Sequence, residues 1–258
     1  MSAGPGRLVA RRVDDRTVIA EAHATSPLRF VQATFPAGRR SAAVCLVTFG
    51  GGLVDGDSID TAIEVEEGAS LLVFTQSTTK VFRGAASQSI RAKVAGTLVL
   101  LPDPVAAFKD ASYTQRIDLE LAAGGTCLVL DGMTSGRAAF GERWIMRSLD
   151  LRTRICDEAG RTLAVDALRF DQADGPIADR AGGFEAFLTL LAVRAPLDAS
   201  PPAPPTKDLA VATSPLARTD GAIVRIAASS PAGAIAAARS RLRNLPDIDI
   251  VDPFASRY

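Results

Sequence analysis

The sequence predicts a mainly β protein of stacked β-strand layers, β-helix-like, with one or two peripheral helices near the C-terminus. Three observations predict it. Apolar and polar residues alternate with period 2 in several segments of the first two-thirds of the chain. Short runs that are apolar throughout lie between those segments. The turns joining the two kinds carry glycines at a fixed spacing, Gly68, Gly96 and Gly124 being 28 residues apart. A fixed period of paired strands suggests layers that stack, each too small to close a core alone. A plain meander with evenly spaced turns gives the same rhythm, so the stack is an expectation at this point.

Residues 17–23 read as a short strand ending at His23. Residues 44–49 form the first wholly apolar strand, and the Gly-rich run 50–57 behind it reads as a wide turn. Ile59, Thr61, Ile63 and Val65 then share one strand face, with Asp60 and Glu64 on the other. The turn at Gly68 leads to apolar 71–74, that at Gly96 to 98–101, and that at Gly124 to 127–130. Alternation returns at Ile117, Leu119 and Leu121, and again at Leu149, Leu151, Thr153 and Ile155. A looser fourth copy turns at 158–160 and continues through 163–165. Residues 182–195 place Phe184, Phe187, Leu188 and Leu191 on one face of an amphipathic helix, which Pro196 ends. A last helix starts with Ser230 as N-cap and Pro231 in its first turn and runs to about Arg243. The tail after Pro246 has no strong pattern. The expected organisation is a β-rich body over 1–180 and a helical addition over 181–258 packed on the same domain. A Pro-rich connector over 196–206 interrupts the addition.

Composition narrows the function. The 258 residues carry 29 Lys+Arg and 29 Asp+Glu, so no net charge steers the chain to nucleic acid. No apolar run approaches the roughly 20 residues of a spanning helix, and 1–12 has no apolar targeting core, so no membrane is expected. Cys45, Cys127 and Cys156 are far apart and odd in number, which suggests a reducing, cytoplasmic setting. His23 is the only histidine, so His-rich metal sites are excluded.

Catalytic templates are missing: the sequence holds no G-x-S-x-G, C-x-x-C or H-E-x-x-H. The glycines at 50–52 lack the Gly-Lys-Ser/Thr ending of a phosphate loop. The polar cluster Thr75-Gln76-Ser77-Thr78-Thr79-Lys80, with Arg83, continues an apolar strand and reads either as a hydrogen-bonded strand end or as a functional face. Residues 134–144 combine Glu142, Arg137, Arg143 and the only Trp in a loop able to present Glu142.

Four blocks taken in order carry a resemblance. They are 47–57 (VTFGGGLVDGD), 74–83 (FTQSTTKVFR), 101–104 (LPDP), and 134–137 (TSGR) with 141–144 (GERW). Together with Pro27-Leu28-Arg29 they resemble the urease accessory protein UreD (also called UreH) family across residues 27–155. The resemblance implies a non-enzymatic scaffold built as a helical stack of strands. Proteins of this kind join UreF and UreG in a GTP-dependent chaperone that inserts nickel into apo-urease, with UreE as an indirect nickel donor. Any GTPase would then reside in a partner, since this chain has no P-loop. No cofactor is expected to be tightly bound. Transient Ni²⁺ is expected on oxygen donors, because weak oxygen ligands release an ion that soft ligands would trap. Asp57 and Glu142 are the candidate ligands of a nickel passage, with Thr75, Gln76, Lys80 and Arg83 lining it or setting its charge. The same residues serve equally well as turn and ion-pair partners. The rival class is a small β-rich enzyme with Asp57 or Glu142 as acid or base, which requires turnover by the isolated chain.

Overall fold

Whether a strand alternates or is apolar throughout depends on how many of its faces are covered. In the computed structural model, which describes residues 4–33, 39–245 and 250, the two kinds of strand fall into two different sheets. In chain order the strands are β1 (Gly4–Val13), β2 (Arg16–Ala24), β3 (Leu28–Gln32), β4 (Ala42–Thr48), β5 (Ser58–Val65), β6 (Ser70–Thr75), β7 (Lys80–Val81), β8 (Gly84–Val94) and β9 (Thr97–Leu101). They continue as β10 (Val105–Ala107), β11 (Ala111–Leu121), β12 (Thr126–Thr134), β13 (Ser148–Asp157), β14 (Thr162–Asp171), β15 (Ala186–Val193), β16 (Leu209–Pro215) and β17 (Gly221–Ala228). Two helices, α1 (Ile177–Arg180) and α2 (Pro231–Arg241), complete the set.

The first sheet runs β14-β13-β11-β8-β5-β1-β2 and the second β16-β17-β15-β12-β9-β6-β4-β3. Between β4 and β13 the chain passes alternately from one sheet to the other, so like strands stack in parallel and the arrangement is a β-solenoid. The rhythm of turn glycines is the rhythm of these coils: Leu71 lies beside Leu98, which lies beside Cys127. At the turns, Thr97 N–H donates to Ala69 C=O and Thr126 N–H to Gly96 C=O, so each turn seats on the one before. A Cβ on Gly96 or Gly125 would meet the carbonyl oxygens of the preceding coil, Ala69 and Val94 respectively. Only glycine allows so close a stack.

The first sheet has one wet face. In β11 every second residue from Ala111 to Leu121 is buried, and the intervening side chains face solvent. That outer face carries ion pairs across strands, such as Arg7 with Glu64 at 3.0 Å and Arg116 with Asp150 at 2.6 Å. The second sheet is covered on both sides. Leu98, Leu100, Val129 and Met133 face the core between the sheets, while Val99, Leu101, Leu128 and Leu130 belong to a second apolar cluster on the far side, which includes α2. Strands buried on both faces read as continuous apolar runs. Each fully buried leucine in these ladders contributes about 1.5–3 kcal/mol.

Three readings of the sequence change. The amphipathic helix over 182–195 is instead strand β15, paired antiparallel with β12 and β17. Its residues 186, 188, 190 and 192 pack toward α2, and Phe187, Leu191 and Val193 toward the inter-sheet core. A run apolar on both faces satisfies helical and strand spacing alike, and pairing on both edges decides for the strand. The fourth copy of the repeat is a hairpin: after Gly160 the chain returns as β14, antiparallel to β13, with Ile155 opposite Ala164. The segment after residue 180 holds three strands of the second sheet besides α2. Residues 196–206 have no regular element, and the sequence after Pro246 lies outside the described residues apart from Ile250. Helix α2 starts as read: Ser230 Oγ accepts the Gly233 N–H at 3.1 Å, with Pro231 in the first turn.

Candidate functional site

Polar residues at the inward phase of otherwise apolar strands meet in the inter-sheet core. Thr75 ends β6, Gln115 precedes Ile117 on the inner face of β11, Asp131 follows Val129 on β12, and Thr153 follows Leu151 on β13. All four are buried. Asp131 Oδ1 accepts from Gln115 Nε2 at 2.7 Å and from its neighbour Gly132 N–H at 2.8 Å, and Oδ2 accepts from the Thr153 hydroxyl at 3.1 Å. The Tyr113 hydroxyl lies 3.0 Å from Gln115 Oε1 and 3.1 Å from Gln88 Oε1, so its one proton serves either amide oxygen. Burial pushes the Asp131 carboxyl up to about 6, against the three donors, which pull it down. Burial likewise holds the Tyr113 hydroxyl protonated. Nearer the surface, the Thr75 hydroxyl donates to Asp103 Oδ2 at 2.9 Å and accepts from the Asp103 N–H at 2.8 Å.

A surface pocket of about 380 Å³ opens above this column, between the glycine turn 50–52 and the polar run 75–80. Beneath it lies an interior cavity of about 10 Å³, lined by Asp103, Gln115 and Asp131 among others. Leu46, Thr75, Thr79 and Gln88 line both spaces, so the pocket and the cavity beside Asp103 and Asp131 share a wall. The inner space holds roughly one water molecule.

The sequence-derived site residues divide. Thr75, Gln76 and Lys80 line the pocket. Asp57, Arg83 and Glu142 line neither space. Asp57 Oδ2 accepts the Val54 N–H at 2.8 Å and closes the glycine turn. Arg83 pairs with Asp110 at 3.2 Å. Glu142 takes a two-pronged contact from Arg137, at 2.7 and 2.8 Å, and this hydrogen bonding holds its carboxyl below the ordinary value, with Lys109 adding to the effect. The loops bearing Asp57 and Glu142 sit on the same edge of the solenoid, with those at 76–83 and 102–110 stacked between them. Gln115, Asp131 and Thr153 were legible as polar residues at the buried phase of alternating or apolar strands, and Thr61 follows the same rule. His23 is exposed on β2. Cys127 is buried beside the core, and burial pushes its thiol up to about 12, so it offers no thiolate. Among the described residues no group of three His, Cys, Asp or Glu side chains is placed to hold a metal ion.

By fold and site this is a two-sheet β-solenoid protein with a column of hydrogen-bonded polar side chains through its core. The comparisons with known proteins give the family. The model of the UreD urease accessory protein family matches residues 2–246. The chain is 38% identical over 269 aligned residues to the urease accessory protein UreD of Sorangium cellulosum (strain So ce56), covering 99% of this chain and 85% of that protein. It is 36% identical to the urease accessory protein UreD of Anaeromyxobacter sp. (strain Fw109-5), covering 99% of this chain and 90% of the relative. To the urease accessory protein D of Arabidopsis thaliana it is 29% identical over 72% of this chain and 66% of the relative. The chain belongs to the UreD urease accessory protein family, whose role is in urease maturation. The match runs well past the four motif blocks, through the strands after residue 180. No helix among the described residues is long and apolar enough to cross a membrane.

Proposed function

We propose that this protein is the scaffold of a nickel-insertion chaperone for apo-urease, working in the cytoplasm with UreF-like and UreG-like partners, and that nickel crosses its interior as cargo. The observation that carries the passage is the run of oxygen donors from the pocket at Thr75 and Gln76, walled also by the Lys80 ammonium, to Gln115 and Asp131 inside. Amide, hydroxyl and carboxylate oxygens bind Ni²⁺ weakly and exchange it readily, which suits transfer rather than storage. At neutral pH, above its value of about 6, the Asp131 carboxyl is mostly ionised and meets an arriving dication as a carboxylate, while Gln115 turns its Oε1 toward the ion and Thr153 offers a lone pair. The narrow inner cavity makes the ion shed most of its water there. GTP hydrolysis belongs to the UreG-like partner, and a UreE-like donor supplies nickel upstream.

The test is the nickel content of urease co-expressed with its accessory proteins and this chain, wild type or variant. Thr75→Val removes an oxygen donor and Asp131→Asn removes a charge, both keeping shape, and they should lower nickel per active site with the chain still folded and still in complex. Asp57→Asn and Glu142→Gln, which touch the edge and not the interior, separate an interior path from one along the loops. Full nickel loading with the Thr75→Val, Asp131→Asn double variant would refute the interior passage.

A further inference from the structure

The loop edge of the solenoid carries a second feature that the passage does not use. Each coil leaves the second sheet through a loop on this edge, and the side chains of successive loops stack. Phe82 and Phe108 meet edge to face with centroids 5.3 Å apart. The Arg137 guanidinium lies 4.7 Å from the Phe108 ring and 5.5 Å from the Phe140 ring. Glu142 pins that guanidinium from the side. Phe140 ends this column with 78% of its surface exposed, and it sits in a tight turn, 138–140, closed by Gly141 with φ +76°. An aromatic ring held in one place yet left in water has already lost the freedom that binding would remove.

Among the described residues, four of the eight large apolar side chains found exposed lie on this edge: Phe49, Val54, Phe140 and Ile145. The charges around them differ between the two ends of the edge. The edge carboxylates are engaged by the chain itself: Asp55 by the Ala85 N–H, Asp57 by the Val54 N–H, Asp110 by Arg83 and Glu142 by Arg137. Lys80 and Arg147 are exposed and form no ion pair among the described residues, and Lys109 is exposed beside Glu142. Asp55 and Asp57 accept only backbone N–H groups and keep their charge at one end, whereas at the Phe140 end the carboxylates are ion-paired and the exposed Lys109 and Arg147 leave a positive rim.

We propose that this edge is a docking surface for a partner protein that presents an apolar pocket rimmed by carboxylates, with Phe140 as the anchor. An exposed aromatic beside an arginine has the residue types of an interface hot spot. A cationic rim steers an acidic partner and makes binding salt-dependent. Phe49 and Lys80 belong both to the patch and to the pocket at the head of the passage, so a protein docked here faces that mouth. This last point rests on the passage reading, whereas the docking itself does not.

The experiment measures binding of the full-length chain to purified apo-urease and, separately, to each further accessory protein expressed with it. Phe140→Ser should weaken one of these complexes roughly thirtyfold or more. The double variant Lys80→Glu, Lys109→Glu should weaken the same complex and flatten its salt dependence. Val165→Ser, an exposed apolar residue on β14 and off this edge, serves as the control and should leave binding unchanged. Unaltered affinity of Phe140→Ser for every partner would overturn the proposal. So would self-association of the wild-type chain that Phe140→Ser abolishes, because the occupant would then be a second copy. Lost nickel loading with intact binding concerns the passage alone: Asp131→Asn should show it and Phe140→Ser should not.

Discussion

Replacing Asp131 with Asn isolates one proton in the core. The buried carboxyl rises from 3.8 to about 6 because burial outweighs its hydrogen bonds from Thr153, Gly132 and Gln115. The folded chain therefore holds this proton more tightly than the unfolded chain does. The stabilising contribution is complete below pH 3.8 and is lost as pH rises through about 6. At 1.36 kcal/mol per tenfold change in proton affinity the whole loss is about 3 kcal/mol, of which roughly 1.4 kcal/mol falls above pH 5. An asparagine side chain in this place would mimic the neutral acid. Its oxygen still accepts from Gln115 and Gly132, and its amide donates to the Thr153 hydroxyl, which turns to accept. Urea unfolding at pH 5 and pH 7.5 is the assay. Relative to the variant, the wild type should lose about 1.4 kcal/mol over that interval, equivalent to roughly 3–6 °C in Tm for a chain of this size. Many exposed carboxylates titrate in both proteins and cancel in the difference. Parallel pH profiles for the two chains would refute the claim that Asp131 is protonated in the folded core below pH 6.

Trp144 packs against Phe170 and Phe187 with centroids 5.6 and 5.7 Å away, and its Nε1–H donates to the Phe184 carbonyl at 2.9 Å. Trp144→Ala should destabilise by about 3–5 kcal/mol, read by denaturant unfolding followed by circular dichroism, with Trp144→Phe recovering most of it. Ser230→Ala removes the cap of α2 and should cost about 1 kcal/mol, whereas Ser230→Asp should cost little, as thermal unfolding will show. Hydrogen bonding from Arg137 holds the Glu142 carboxyl below its ordinary 4.5, so the stability that the pair provides is present above that pH and is lost as pH falls through the lowered value. Glu142→Gln should remove this acid sensitivity, and a double-mutant cycle with Arg137→Ala at pH 7 and pH 3.5 measures it.

The two sheets were legible in the sequence because burial writes itself as spacing. Leu119 and Leu121 alternate with charge since one face of β11 is wet, and 98–101 is apolar throughout since a second apolar cluster covers the far side of β9. The same logic concealed β15. Once both faces are buried, only the partners on either side separate strand from helix, and β12 and β17 are distant in sequence. The hairpin at Gly160 escaped for a related reason: a glycine turn between strands reads alike whether the next strand crosses to the other sheet or folds back. Of the site, the strand end 75–80 was visible from its density of hydroxyls and amides. Asp57 and Glu142 drew attention as carboxylates in glycine-rich loops, and the chain uses them to close a turn and to seat Arg137. Gln115 and Asp131 become neighbours only when the two sheets face each other across the core, a relation that local pattern does not contain.

The reversal of direction at β14 has a consequence for the length of the molecule. Parallel coils joined by backbone hydrogen bonds have no internal reason to stop, and an open coil face is a template for another chain. Here the last coil is met by strands running the other way. β13 receives β14 and β12 receives β15, while at the opposite end β1 receives β2 and β4 receives β3. An incoming copy of a coil finds antiparallel edges that do not match its own register. The fold is thus a fibril-like architecture of fixed length, and a deletion that removed 162–171 would expose β13 as a growth point and convert a discrete protein into one that polymerises end to end.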